Sequence, residues 1–383
     1  MKKLNALHLA SFEGNIGDNA NHNGFYASME NIESYKFEYT QLEIRDFYWK
    51  KRSFNKDFVD YANSFDIVII GGGNYFELWV DHSPTGTSIM IEPALFKQIK
   101  VPVLFNALGV DPGQGASKNA CAKFRHFLDL ILSNSKNMVS VRNDGALNSI
   151  KTYIGEEYLD KIYWTPDAGI LISCDYDFLQ INKEYLAVNL AGDMLDVRFP
   201  KQANGISYTN FIEQLAEILL NTIHEGFIDE IVLIPHIYKD FKCITDLLEQ
   251  FSDEVIRTKI SIAPLLHGKN SELKIFSIYK NAKLTFAMRF HANLCSIGFG
   301  VPTIGLDSYI QIQQLYDELR VPDYCVRINK RNMRKSMENI LIAIKADIHD
   351  HRRNFTKISE KQKKHAAEYF KNVETWLDTL NPA

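Results

Sequence analysis

The chain has 383 residues, 46% of them hydrophobic and 12% aromatic, with a formal net charge of −4. That length accommodates two domains with cores of their own, and the near-neutral balance gives no reason to expect a nucleic-acid partner. Cys121, Cys174, Cys243, Cys295 and Cys325 are scattered without paired spacing, which points to reduced thiols in the cytoplasm and away from a disulfide frame or zinc cluster.

The first half alternates short apolar runs with helical patterns. Residues 4–12 read as a strand, Gly14 to Asp18 as a loop and residues 20–30 as a helix. Residues 35–44 are strand-like but more polar, as at a sheet edge. Phe65 to Ile70 is a buried strand running into Gly71-Gly72-Gly73-Asn74, and residues 101–108 form another strand. Lys118 to Leu132 has the 3.6-residue period of an amphipathic helix. The strand 138–141 ends at Arg142-Asn143-Asp144. Strands alternating with helices imply a mostly parallel sheet covered on both faces.

Thr165 to Gly169 and the polar stretch 174–184 read as an exit from one domain and a linker to the next. The alternation then restarts, with strands at 186–190, 231–234, 260–265 and 284–288, and helices at 208–224, 241–251 and 271–280. Residues 334–380 read as one or two long helices rich in Lys and Arg. A solvated face is the preferred reading of that tail; the other is a patch resting on an anionic membrane. The expected domains are 1–178, 185–325 and a helical tail at 331–383. The fold class is α/β, with two doubly wound domains facing a cleft that would hold the site. No apolar stretch approaches the ~18 residues of a membrane span, and His8 and Glu13 spoil a signal-peptide core. The chain therefore reads as cytoplasmic.

The densest chemistry lies in Lys283 to Ser308. There a strand is followed at once by Arg289 and His291, then by a helix at 292–299, Gly300, Pro302 and a second strand ending at Asp307. Residues just past the carboxyl end of a parallel strand face the ligand crevice. Backbone N–H groups at a helix start favour an anion there. A cation and an imidazole two residues apart at such a turn suit an anionic substrate; the plainer reading is a surface Arg and a helix-capping His.

Other positions carry two readings each. Asp18 is a general base or sugar ligand, or else an N-cap. Gly71 to Asn74, with Gly72 and Gly73 at its centre, is a phosphate or sugar cradle, or else a structural turn. Arg142 binds substrate, or pairs with Asp144. His236, after the strand 231–234, binds substrate, or is a hydrogen-bonded structural histidine. Asp175-Tyr176-Asp177 matches the DxD of some glycosyltransferases but lies in the linker. No HExxH, GxSxG or Cys/His ligand set is present, so no motif supports metal or nucleophile catalysis.

Together these motifs resemble the polysaccharide pyruvyl transferases. The family's GNxGD-type loop is matched by Gly14-Asn15-Ile16-Gly17-Asp18, its glycine turn by Gly71 to Gly73, and its valine-arginine-acid stretch by Val141-Arg142 with Asp144. Asp167 and His236 match a first-domain aspartate and a second-domain histidine. The Arg-x-His and Gly-x-Pro-x-Ile blocks are matched by Arg289-Phe290-His291 and Gly300 to Ile304. The sequence departs from the family after the last strand, where Asp307-Ser308-Tyr309-Ile310-Gln311 has no lysine; another cation or another donor would then be used.

The resemblance implies a GT-B-like pair of Rossmann-like domains. It also implies transfer of pyruvate from phosphoenolpyruvate, with no further cofactor, to a surface-polysaccharide or cell-wall sugar often carried on a lipid, at the inner face of the membrane. In that frame His291 is the general acid/base and Asp18 orients or deprotonates the acceptor hydroxyl. Arg289, Arg142, Asn15, Gly72, Gly73 and His236 bind substrate. The rival readings are a GT-B glycosyltransferase using a nucleotide sugar and a non-catalytic glycan-binding member.

Overall fold

A computed structural model describes residues 1–175, 177–202 and 205–380; Tyr176 of the DxD motif lies outside the described residues. The chain forms two compact units. The first comprises Met1–Phe12, His22–Ala168 and the residues from Lys363 on; the second comprises Glu13–Asn21 and Gly169–Gln362.

In the first unit, strands β1 (Lys2–Ala10), β2 (Tyr35–Glu43), β3 (Ile67–Glu77), β4 (Val103–Asp111), β5 (Asn137–Arg142) and β6 (Tyr163–Thr165) form one sheet. Its order is β2-β1-β3-β4-β5-β6, and every pairing is parallel. β2 lies at an edge, which accounts for its polar alternation. The side chains of a strand alternate between faces. Leu7, Leu9, Val68, Ile70, Val103 and Phe105 therefore share a core with Phe124, Phe127 and Ile131 of the helix Lys118–Leu132. His8 points the other way, where its ring meets Phe25 and Tyr26.

The second unit holds β7 (Tyr185–Asn189), β8 (Glu230–Leu233), β9 (Ile260–Ile262), β10 (Leu284–Ala287), β11 (Thr303–Asp307) and β12 (Cys325–Arg327). All its pairings are parallel, in the order β12-β11-β10-β7-β8-β9. Read from β9, this is the Rossmann order 3-2-1-4-5-6, with the switch point between β7 and β10. Leu186, Val188, Phe286 and Ile304 pack on one face with Phe211, Leu215 and Met337. Tyr185, Ala187 and Ala287 pack on the other with Ile275, Phe276 and Cys295. Both faces being covered explains why these strands read as unbroken apolar runs. The two Rossmann-like sheets are those expected from the sequence.

Three local expectations change. Gly71 to Gly73 do not form a turn: β3 runs through them to Glu77, with its register to β4 shifting between Gly73 and Phe76. The glycines fit crowding inside the sheet. A Cβ at Gly71, whose φ is +127°, would run into the Asn106 carbonyl, and one at Gly73 would meet the Tyr75 ring. The first helix starts at Ile16 rather than near 20, because the Asn15 side chain accepts from the Gly17 N–H (3.0 Å). Ile16 and Ala20 lie in the same apolar cluster as Phe276 and Ala292, which is why 13–21 belongs to the second unit.

The helical tail contributes to both units. In the helix Ile348–Leu380, Phe355 packs with Leu294 and Tyr316 in the second unit, and Ser359 Oγ donates to Gly298 O at 2.6 Å. Farther along, Tyr369 OH donates to Asn106 Oδ1 (2.9 Å) and bonds Ser140 Oγ (2.8 Å) in the first unit. Lys357, Lys361, Lys363 and Lys364 are exposed. Among the described residues no helix is long and apolar enough to cross a membrane.

Candidate active site

The site is built on the carboxyl ends of β7 and β10, the switch point of the second sheet. β10 ends at Ala287, and the next helix is Phe290–Gly298, so Arg289 is its N-cap residue and His291 its second residue. The buried Asn189 at the end of β7 pins this turn. Its Oδ1 accepts from the Arg289 N–H (3.0 Å) and its Nδ2 donates to Ile234 O (2.9 Å).

Arg289 is committed internally. Its Nε donates to Asp240 Oδ2 (2.8 Å) and its Nη2 to Asp240 Oδ1 (2.5 Å) and Asp193 Oδ1 (3.1 Å). Burial opposes its charge, but Asp240 and then Asp193 outweigh that and push its pKa up. Asp240 in turn accepts from the backbone N–H groups of Gly192, His236 and Ile237. The bidentate contact expected with a ligand is thus made to Asp240. Only Nη1 has no hydrogen-bond partner among the described residues.

His291 lies almost buried, with its Nδ1 4.0 Å from Asp18 Oδ1. Asp18 occupies the first turn of the helix Ile16–Glu30, so it is neither an N-cap nor in a different unit from His291. That separation exceeds a hydrogen bond but suits a pair that closes on a substrate. Gly17 backs the imidazole closely: a Cβ there would lie 2.6 Å from Nδ1. Gly17→Ala should therefore displace the ring while keeping the helix, since Ala favours helical backbone. A shift of about 1 Å can cost ~10²-fold in rate. We expect that loss in kcat, with far-ultraviolet circular dichroism unchanged.

The remaining sequence candidates have structural duties. His236 is buried; its Nε2 shares a hydrogen bond with Tyr279 OH (2.8 Å), and its backbone oxygen accepts from Ile16 N–H at 3.5 Å. Burial, and after it the neighbouring Arg289 and His291, hold its pKa well below the usual value. It fastens the 13–21 segment and the Asp240 turn together. Asn15 caps its own helix.

Arg142, Gly72 and Gly73 belong to the first unit. Arg142 is buried, and donates through Nε to Asp144 Oδ2 (2.7 Å) and through Nη1 to Asp167 Oδ2 (3.1 Å). The ion pair with Asp144 that the sequence offered for Arg142 is present, extended to Asp167. Burial pushes the Asp144 carboxyl up to about 6 even though Arg142 pulls it down. Asp240, Asp193, Arg198 and Asn189 complete the second unit's network and were not among the sequence candidates. Asn189 ends β7 and Asp193 follows it closely, whereas Asp240 lies well past β8, at the start of the next helix. Among the described residues no group of three His, Cys, Asp or Glu side chains could hold a metal ion.

The fold has solved counterparts. The S. aureus MnaA–UDP co-structure aligns with a TM-score of 0.56 at 10% identity, over 99% of this chain and 97% of that one. UDP-GlcNAc 2-epimerase from Neisseria meningitidis bound to UDP-GlcNAc gives 0.54 at 11% identity, over 98% and 100%. A glycosyltransferase from Rickettsia africae ESF-5 gives 0.58 at 9% identity, over the whole of both chains. At such identities the likeness is one of fold, the two-domain GT-B-like architecture. No curated protein matches in sequence. The sequence model described as polysaccharide pyruvyl transferase matches residues 15–309, a span that includes Asn15, Asp18, Arg142, His236, Arg289 and His291. On that match the chain belongs to the polysaccharide pyruvyl transferase family.

Proposed function

We propose that the protein transfers pyruvate from phosphoenolpyruvate to two hydroxyls of a sugar, forming a cyclic ketal and releasing phosphate. The observation that carries this reading is the pairing of Asp18 with His291 at 4.0 Å beside Arg289, at a helix N-terminus on the sheet's switch point. The helix start and Arg289 Nη1 offer donors to an anionic group. A proton goes to the vinyl carbon, the first hydroxyl oxygen bonds to the adjacent carbon and loses its proton, the bond from that carbon to the phosphate oxygen breaks, and the second hydroxyl oxygen closes the ring, its proton leaving on the phosphate. An imidazole suits both the proton delivery and the proton removal, and Asp18, 4.0 Å from it, would orient or deprotonate the acceptor hydroxyl. The acceptor would be a glycan precursor of a surface polymer, met in the cytoplasm or at the membrane's inner face.

A nucleotide-sugar donor is the second reading. Two fold counterparts are described with UDP or UDP-GlcNAc and a third as a glycosyltransferase. Thermal shifts separate the two. Phosphoenolpyruvate at 100 times its Kd should stabilise the protein by about 2.7 kcal/mol, whereas UDP and UDP-GlcNAc should not. Stabilisation by the nucleotides alone would transfer the proposal to the second reading.

A further inference from the structure

Past β7 the chain runs through Gly192 and Asp193 into a short helix, Leu195–Arg198. Arg198 folds back on this turn. Its Nε donates to the Asp193 backbone oxygen (2.9 Å) and its Nη2 to Asp193 Oδ1 (3.2 Å). Its Nη1 reaches Ser308 Oγ (3.1 Å), just past β11, and the guanidinium lies 5.7 Å from the Tyr309 ring centroid. Arg289 donates to the same Asp193 Oδ1 at 3.1 Å. One carboxylate oxygen therefore bridges two guanidinium groups, across the ends of the adjacent strands β7, β10 and β11.

The two carboxylates in this network differ in how they are held. Asp240 has a fully buried side chain and receives two bonds from Arg289 and three from backbone N–H groups. It fixes Arg289 and cannot leave without orphaning buried donors. Asp193 has the most exposed side chain of the four, at 22% against 13% for Arg289, 6% for Arg198 and 0% for Asp240. Its side-chain oxygen is held by the two arginines. Two guanidinium groups this close repel each other unless an anion lies between them, and Arg198 feels it: burial and, beyond that, Arg289 lower its pKa despite Asp193. An outer carboxylate between two inner cations is where a ligand's own oxyanion would bind.

We propose that Arg198 and Arg289 form a two-guanidinium subsite for a phosphate or carboxylate group, which the Asp193 carboxylate occupies in the free protein and vacates when the ligand arrives. The subsite rests on reading the Arg289–His291 turn as the substrate site, and holds for either donor, since both carry phosphate. Its consequence is a sign: removing an acidic side chain from the site strengthens anion binding. If the subsite is open about one-tenth of the time, taking away the competitor raises affinity by about tenfold.

Titration calorimetry on the full chain, with inorganic phosphate, phosphoenolpyruvate and UDP in separate arms, tests this. Wild type is compared with Asp193→Asn, Asp193→Ala and Arg198→Gln. The expected result is tighter binding, by about tenfold, of at least one of the three anions to both Asp193 variants, and weaker binding of the same anion to Arg198→Gln. Phosphate should also raise the melting temperature of Asp193→Asn more than that of wild type, which a purely structural role for Asp193 would not produce. Weaker or unchanged binding of every anion by folded Asp193 variants overturns the subsite. Phosphoenolpyruvate binding to wild type together with that result leaves the pyruvyl-donor reading standing alone. Tightening confined to UDP keeps the subsite and removes phosphoenolpyruvate as donor.

Discussion

Replacing His291 by Ala lowers turnover by about 10²–10⁴-fold, the usual range for losing a general acid/base, and leaves the fold in place. The side chain is nearly buried, but the helix Phe290–Gly298 does not depend on it. That helix is anchored by Ala292, Leu294, Cys295 and Ile297, all fully buried in the apolar clusters. In the proposed role, where the ring moves protons rather than holding the anion, the loss should appear in kcat. His291→Gln, which keeps hydrogen-bonding capacity but cannot titrate, should be impaired to a similar degree. Phosphate-release kinetics beside a thermal melt read both quantities. Wild-type kcat in a folded His291→Ala protein would remove the imidazole from the chemistry.

Replacing Arg142 by Ala should destabilise the protein by about 3–5 kcal/mol, the cost of breaking a buried pair while its partners stay buried. Asp144 and Asp167 would each lose a charge-assisted bond, and both are almost fully enclosed. Asp144 is already strained electrostatically, its pKa lifted by burial in the presence of the arginine. A urea titration should show a lower midpoint with an unchanged slope. A stable Arg142→Ala protein with a raised KM for the donor would instead restore Arg142 as a substrate ligand.

Arg142 and Arg289 show where sequence reading reaches and where it stops. Each follows a buried parallel strand and precedes a helix, so each carries the same local signature. What separates them is the distant surroundings. Arg142 is enclosed by Asp144 and by Asp167, 25 residues away, whereas Arg289 meets Asp240 and Asp193 at separations of 49 and 96 residues. No local pattern encodes those partners. The sheets, by contrast, are legible because strands buried on both faces leave near-continuous apolar runs such as Ile67 to Ile70 and Leu284 to Met288.

Chain order misled in one further place. Asp18 lies before nearly all of the first sheet, and sequence position alone puts it in that domain. Its helix instead inserts Ile16 and Ala20 into the second unit's core, which brings the carboxylate to His291. The glycines at 71–73 misled for a different reason. Glycine usually marks a turn, but it also serves where two backbones crowd within a sheet. Asp193 and Arg198 stand in no motif; their meaning comes from the Asp193 oxygen that Arg198 and Arg289 share.

The pieces describe a transferase-type enzyme of glycan biosynthesis whose Asp18–His291 pair and arginine network occupy one end of the second sheet. The most direct test is phosphate release from phosphoenolpyruvate in the presence of a sugar diol, wild type against His291→Ala, with mass spectrometry of the sugar. The expected result is stoichiometric phosphate and pyruvylated sugar from wild type, and about 10²-fold less of both from the variant. Equal release by the two proteins, or no release alongside UDP liberation from a UDP-sugar, would contradict it.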